Sequence, residues 1–299
     1  GGGCGYNFSN LREKGARIKS TGGVSNGPVS FMKIFDVTIG QVITQGGTRN
    51  GAQMGILMYN HPDIIEFIES KKTGSLTNFN ISVGITEEFM KLAQADEDFD
   101  VISPLTGKVG TYNAGKLLDF ISQNAHETGD PGILFMDRIE SFNPVPSLGP
   151  LSVNPCSESH LQNFENCTLG SINIANFVIG NEIDYDRLDS TIELTVRFLD
   201  NVIDINDYPI PEIETAAKGN RKIGLGIMGW ADALIKMGIK YDSVKGVTRG
   251  MHLMHKLNEK AEMTSMQLGR EKGVFPNYDL SIYKDKYYPD IDVSLKRRN

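Results

Sequence analysis

A thiol, a carboxylate and an amide fall within the five residues Asn154-Pro155-Cys156-Ser157-Glu158. A second thiol follows in Asn166-Cys167-Thr168-Leu169-Gly170-Ser171-Ile172-Asn173. Proline at 155 biases Asn154 away from the helical region and removes a backbone donor, so the first segment reads as a loop. On an extended loop, Asn154, Cys156 and Glu158 project to one side at period two and could converge on one small ligand. That arrangement suits catalysis better than packing, although a lone cysteine is more often a small buried hydrophobe.

Three other clusters could carry chemistry. The run Gly1-Gly2-Gly3-Cys4-Gly5 gives backbone that can approach a ligand closely, a weak signal in isolation. Gly224-Leu225-Gly226-Ile227-Met228-Gly229 satisfies the dinucleotide fingerprint and raises a rival reading, an NAD-linked oxidoreductase. Only Lys222-Ile223 precede it where a hydrophobic strand is required, so these glycines are better read as permitting close backbone packing. His252, His255 and Glu259 lie on neighbouring turns of one helix, but a fourth metal ligand is not identifiable and no metal is expected.

The elements that must position these groups alternate. A helix is predicted after Pro28, with Phe31, Ile34, Phe35, Ile39 and Val42 at three- and four-residue spacing and Gln45-Gly46-Gly47 ending it. Met54–Met58 reads as a buried strand, and His61-Pro62-Asp63 opens a helix with carboxylates where the helix dipole favours them. Asn80–Ile85 alternates as a strand, and Thr86 caps a helix carrying Glu87 and Glu88 in its first turn. The acidic tract Ala95–Asp100 ends that helix and reads as solvated surface. Further helices are predicted from about Asn113 to His126, from Tyr185 to Ile205, and from about Met228 and Asp242. In the last of these, Met251, Met254, Leu257, Ala261 and Met266 form an expected core stripe. Strands alternating with helices predict an α/β architecture. With no long polar linker or internal repeat, one domain over 1–299 is expected.

The 299 residues are 39% hydrophobic and 22% charged, as in an ordinary globular protein. A formal charge of −7 disfavours a sequence-independent nucleic-acid binder, and no apolar run is long enough to span a membrane. Three cysteines are too few for a disulfide-stapled secreted domain, so a reducing cytoplasm fits. The chain opens on glycines without a methionine and ends Lys-Arg-Arg-Asn, which reads as a segment of a longer polypeptide.

The segment around Cys156 resembles the active-site finger loop of ribonucleotide reductase large subunits, whose core pattern is Asn-x-Cys-x-Glu. The resemblance extends, in family order, through Gly1–Ser9, Lys19–Gly23, Gly27–Met32, Gln45–Ala52, His61–Ile64, Thr77–Val83, Gly129–Gly132 and Arg221–Gly229, and its style is nearest the adenosylcobalamin-dependent branch. It implies part of a ten-stranded α/β barrel with the finger loop at its centre, both ends truncated. It implies radical-based reduction of ribonucleoside di- or triphosphates to 2′-deoxyribonucleotides, with adenosylcobalamin supplied to the full-length enzyme. Related alternatives are a catalytic subunit that takes its radical from a partner metallosubunit, and a nucleotide-binding relative that has lost catalysis.

By this resemblance Cys156 is the thiyl that removes the 3′ hydrogen, Glu158 takes the 3′-hydroxyl proton, and Asn154 holds a ribose hydroxyl. Cys167 is one of two reducing thiols, and Cys4 is not its partner. Gly3, Pro155 and Ser157 join them around the substrate, Ser157 standing where glycine is usual in the branch. Arg12 and Lys19 match positions that bind the triphosphate of a deoxynucleotide effector, and Lys71–Thr77 matches the loop that relays effector identity. Implied partners are the ribonucleotide substrate, the deoxynucleotide effector and a thioredoxin-type or dithiol reductant. A homodimer is compatible, with neither nucleic acid nor membrane as a partner.

Overall fold

A strand enclosed within a parallel sheet must have both faces covered, and the first half of the chain is built around two such strands. The computed structural model describes residues 2–43, 51–72, 74–284, 287–288, 293–294 and 297–299. It divides into one unit of Gly1–Asn143 with Pro150–His160, and a second of Pro144–Gly149 with Leu161–Asn299. Both mix helices and strands, so the α/β class holds. Among the described residues no helix is long and apolar enough to cross a membrane.

In the first unit, β1 (Gly3–Asn7), β2 (Ala52–Met58), β3 (Phe79–Ile85) and β6 (Gly132–Phe135) form a four-stranded sheet in the order β1-β2-β3-β6, with every pairing parallel. Parallel pairing demands crossover connections. They are provided by α1 (Pro28–Val37), α2 (Ile64–Glu69), α3 (Glu87–Ala95) and α4 (Ala114–Thr128), while α5 (Met136–Ser141) follows β6. A hairpin of β4 (Asp98–Ser103) and β5 (Gly107–Asn113) stands between α3 and α4.

Period-two alternation assigns each strand residue to a face. Phe8, Leu57, Phe79, Ile81, Val83 and Ile85 share a core with Met32, Phe67, Phe89, Leu117 and Ile121 of the helices. Met54, Ile56 and Leu134 point to the other face and pack with Ile139, Leu151 and Val153. β7 (Ser152–Val153) thus brings the Asn154–Glu158 segment onto the sheet face opposite the helical core.

The expected boundaries hold closely for β2, β3 and α4. Thr86 accepts a hydrogen bond from Phe89 N at 3.2 Å, and Asn113 caps α4 by accepting from Lys116 N at 2.9 Å. The helix after Pro28 continues in π-helical form over Thr38–Ile43, and its expected end at Gln45-Gly46-Gly47 lies outside the described residues. The acidic tract is more than solvated surface. Asp98 and Asp100 face out while Phe99 is buried between them, so the tract begins a strand.

After β8 (His160–Leu161), where the first unit ends and the second resumes, β9 (Leu169–Asn173) of the second unit pairs in parallel with β12 (Gly224–Met228). A short hairpin joins β10 (Val178–Ile179) to β11 (Glu182–Ile183), and β13 (Tyr287–Tyr288) pairs antiparallel with β14 (Val293–Ser294). The helices are α6 (Tyr185–Ile205), α7 (Pro211–Asn220), α8 (Trp230–Lys236) and α9 (Val244–Lys272). α6 has the expected bounds, with Asp184 accepting from Arg187 N at 3.1 Å.

Two expectations are corrected here. Met228 closes a strand, and the helix begins at Trp230 after Gly229 turns the chain at φ 68°. In α9 the core-facing stripe is Leu253, Leu257 and Leu268, whereas Met251 is 70% exposed and Met254 is exposed as well. Leu257 and Ala261 of the expected stripe do face this core, Ala261 partly buried against it, whereas Met251, two residues before Leu253, falls on the far side of the helix.

Candidate active site

The finger segment owes its position to small residues beneath it. A Cβ on Gly3 would come within 2.7 Å of Pro155 Cγ, and one on Gly5 would run into the Val153 carbonyl. Glycine at both positions lets Val153–Pro155 lie directly on β1. From β3, Asn80 Nδ2 donates to the Pro155 carbonyl at 2.8 Å. Pro155 is buried, while Cys156 and Glu158 are exposed. The turn itself is closed by Ser157 N donating to Asn154 O at 3.0 Å, with Ser157 in the left-handed region at φ 68°. That conformation suits the glycine usual in the resembled branch better than serine.

Asn154 organises the rest. Its Oδ1 accepts from Ser159 N at 3.0 Å, and its Nδ2 donates to Glu158 Oε1 at 2.5 Å. The amide and the carboxylate expected to act together are therefore in direct contact, across a turn that carries an exposed thiol. The carboxylate accepts from the amide, so Glu158 is held as a hydrogen-bond acceptor beside Cys156. This cluster can engage a hydroxylated ligand through both an acceptor and a thiol.

Cys4 lies on the opposite face of β1 from Gly3 and Gly5. Tyr6 shares that face, and its hydroxyl pKa is pushed up to about 12 by burial first and by Cys4 second. Tyr6 in turn stacks on Phe35 with ring centroids 4.8 Å apart. Cys4, Cys156 and Cys167 are all free thiols.

In the second unit Cys167 is exposed and sits between two fixed points. On one side, Glu165 is nearly enclosed, with 3% of its side chain exposed, and meets Lys222 Nζ at 2.6 Å, Gln162 N at 2.6 Å and the Asn220 amide. On the other, Thr168 O accepts from Gly224 N at 2.9 Å where β9 and β12 begin. Glu165, Asn220 and Lys222 were not singled out from sequence. The usable signal was Lys222 in the Arg221–Gly229 block together with the proximity of Glu165 to a candidate cysteine.

Arg221, from the same block, is buried in a left-handed conformation at φ 50° and binds Asp200 at 2.6 Å and Asp204 at 2.7 Å. Lys272, Arg298 and Asn299 also reach Asp200. Burial would raise the Asp200 carboxyl, but hydrogen bonds from Lys272, Asn299 and Arg221 outweigh it and bring the pKa down to about 2.

The remaining candidates are placed apart from these clusters. Arg12 Nη1 donates to Arg17 O at 3.5 Å, and Lys19 is exposed in a turn held by Ile18 N to Gly23 O at 2.8 Å; the two cations are not brought into contact. In the Lys71–Thr77 loop residue 73 lies outside the described residues. Its first residue, Lys71, bonds Leu76 O at 3.1 Å and Phe79 O at 2.5 Å and pairs with Asp130 at 3.4 Å, tying the loop to the start of β3. The Gly224–Gly229 fingerprint lies within and just after a strand, which leaves no glycine-rich turn from strand to helix of the kind a pyrophosphate requires. Among the described residues no group of three or more His, Cys, Asp or Glu side chains is arranged to hold a metal.

Comparison with known proteins gives a consistent match. The sequence-family model described as ribonucleotide reductase, barrel domain, matches residues 1–293. A vitamin B12-dependent ribonucleoside-diphosphate reductase of Thermoplasma acidophilum is 48% identical over 281 residues, covering 92% of this chain and 36% of that protein. One of Mycobacterium tuberculosis is 44% identical over 282 residues, covering 93% of this chain and 40% of that protein. A ribonucleoside-diphosphate reductase subunit alpha of Chlamydia trachomatis is 32% identical, covering 98% of this chain and 32% of that protein. The chain thus spans well under half the length of these relatives.

Proposed function

Because the chain belongs to the ribonucleotide reductase barrel-domain family, we propose that it forms part of a catalytic subunit reducing ribonucleoside diphosphates at C2′ by a thiyl radical on Cys156. The observation that carries this reading is the contact of Asn154 with Glu158 across the turn bearing the exposed Cys156 thiol. The names of the relatives at 44–48% identity favour diphosphate substrates and dependence on vitamin B12.

The division of labour follows from the side chains. The Cys156 sulfur radical takes the C3′ hydrogen atom, because the 2′-hydroxyl becomes a good leaving group only beside a carbon radical. Glu158 accepts the 3′-hydroxyl proton, which its fixed place next to the thiol allows. Asn154 orients both the carboxylate and a ribose hydroxyl. The 2′-oxygen departs as water, and two electrons and two protons come from Cys167 and a second thiol of the polypeptide, which become a disulfide; one proton completes the water, one hydrogen goes to C2′, and Glu158 returns its proton to the 3′-oxygen. Cys156 then returns the hydrogen atom to C3′. Gly3, Pro155 and Ser157 would line the ribose, where flat backbone leaves room.

Adenosylcobalamin, when bound, would supply the radical that takes the hydrogen atom from Cys156. The chain's own fit to that role is an exposed thiol at the tip of a seated loop, accessible to a radical formed elsewhere. We assign no residue of the chain to holding the cofactor. The four-stranded parallel sheet with the finger on one face supports a partial ten-stranded barrel, and the family match over residues 1–293 supports one domain over 1–299. Arg12 and Lys19 as effector-phosphate contacts, a dithiol or thioredoxin-type reductant, a homodimer and a cytoplasmic location complete the reading.

The test is hydrogen transfer at C3′. With the full-length protein, cobalamin cofactor and a 3′-tritiated ribonucleoside diphosphate, the wild type should release some tritium to water during turnover, and Cys156→Ser should release none. Deoxynucleotide formed at the wild-type rate by Cys156→Ser would refute the assignment.

A further inference from the structure

β3 alternates between two chemistries. Phe79, Ile81, Val83 and Ile85 enter the helical core, while Asn80, Ser82 and Gly84 occupy the face that carries the finger. Small residues at 82 and 84 are explained by close packing, since a Cβ on Gly84 would meet Met136 Cγ at 3.0 Å. An asparagine at 80 needs a different reason, and its side chain supplies it by donating to the Pro155 carbonyl at 2.8 Å.

That carbonyl belongs to the peptide unit that joins Pro155 to Cys156. The unit is planar, so fixing its oxygen fixes the plane from which the Cys156 Cα emerges. The anchor is firm, because β3 pairs with β2 on one side and β6 on the other. The Pro155 ring on Gly3 blocks movement towards β1, and the Asn154 contacts with Ser159 close the turn downstream. The freedom left to the thiol is rotation about Cys156's own bonds.

We propose that Asn80 is a positioning residue for Cys156, aligning the thiol from the sheet without touching the reacting atoms. The inference rests on the reductase reading for its catalytic consequence but not for its geometric one. An asparagine that merely satisfied a carbonyl would contribute to folding and leave the reactivity of the thiol alone.

The experiment uses the full-length protein with Asn80→Ala, and with Asn80→Ser as a second variant whose hydroxyl is too short to reach the carbonyl. Cys156 alkylation by iodoacetamide is followed by mass spectrometry, with Cys4 in the same molecule as the internal reference. A loosened finger should change the ratio of Cys156 to Cys4 alkylation by about threefold or more, the equivalent of roughly one neutral hydrogen bond. In turnover, kcat should fall about ten- to a hundredfold with KM changed by less than about twofold, as expected when a reacting group is misplaced and not removed. An alkylation ratio equal to wild type in both variants overturns the proposal. Absence of ribonucleotide reduction by the wild type would instead count against the reductase reading, and the alkylation ratio would still decide the role of Asn80.

Discussion

Asn154 Nδ2 and Glu158 Oε1 lie 2.5 Å apart, joining the first and last residues of the turn that presents Cys156. This contact holds the carboxylate in place by a hydrogen bond that the glutamine isostere can keep. Glu158→Gln should therefore preserve the fold of the turn and the KM for ribonucleotide while lowering kcat by about 10²- to 10⁴-fold, the usual loss on removing a general base. Steady-state kinetics of the full-length protein check this, and a KM rise at unchanged kcat would mean that Glu158 binds substrate and does not move a proton.

The seating of the finger on glycine predicts a sharp contrast between two neighbours. Gly5→Ala places a methyl into the Val153 carbonyl, and overpacking of this kind costs about 1–3 kcal/mol. Gly2→Ala meets nothing within 4 Å and should stay within about 0.5 kcal/mol of wild type. Denaturant melts of the two variants, followed by activity at a temperature where both are folded, separate loss of stability from displacement of the loop.

Asp200 links the second unit to acid stability. Its carboxyl, ordinarily near 3.8, is brought down to about 2, so its ionised form is favoured by folding. The stabilisation is complete above about pH 4 and is lost as pH falls through about 2. Asp200→Asn should remove this part of the pH dependence. Asp200→Ala leaves the buried Arg221 guanidinium without its main partner and should cost about 3–5 kcal/mol. Urea melts between pH 2 and pH 7 give both numbers.

Glu165 predicts a local effect on the second thiol. Lys222→Met removes the cation 2.6 Å from an enclosed carboxylate, leaving it to Asn220 and the Gln162 amide at a cost of about 1–3 kcal/mol. The segment bearing Cys167 should loosen, and Cys167 should alkylate faster while Cys4 is unchanged. Equal rates for Cys167 in variant and wild type would place its restraint at Thr168 and Gly224.

The sequence makes the helical core and the finger legible for identifiable reasons. Thr86 and Asn113 mark helix starts because a side-chain acceptor before an amphipathic run has few other uses. The Asn-Pro-Cys-Ser-Glu segment is visible because a proline prevents regular structure where three reactive groups converge. What was hidden depends on contacts between distant residues. Asn80 reads as one polar residue in a strand until Pro155 is brought above it. Glu165 and Lys222 are separated by much of the second unit, and no local pattern pairs them. The strand at Asp98–Ser103 was masked by its charge, since the inward Phe99 alternation is shorter than the acidic run around it. In the α9 stripe Leu257 and Ala261 face the core but Met251 and Met254 do not, because methionine and leucine are equally apolar and only packing shows which face is covered.

The most direct test of the central claim is anaerobic ribonucleoside diphosphate reduction by the full-length protein, with a dithiol and adenosylcobalamin as the added cofactor, comparing wild type with Cys156→Ala. The account predicts 2′-deoxyribonucleotide from the wild type and none from Cys156→Ala, although both bind the ribonucleotide. Deoxynucleotide from Cys156→Ala, or none from a folded wild type, would contradict it.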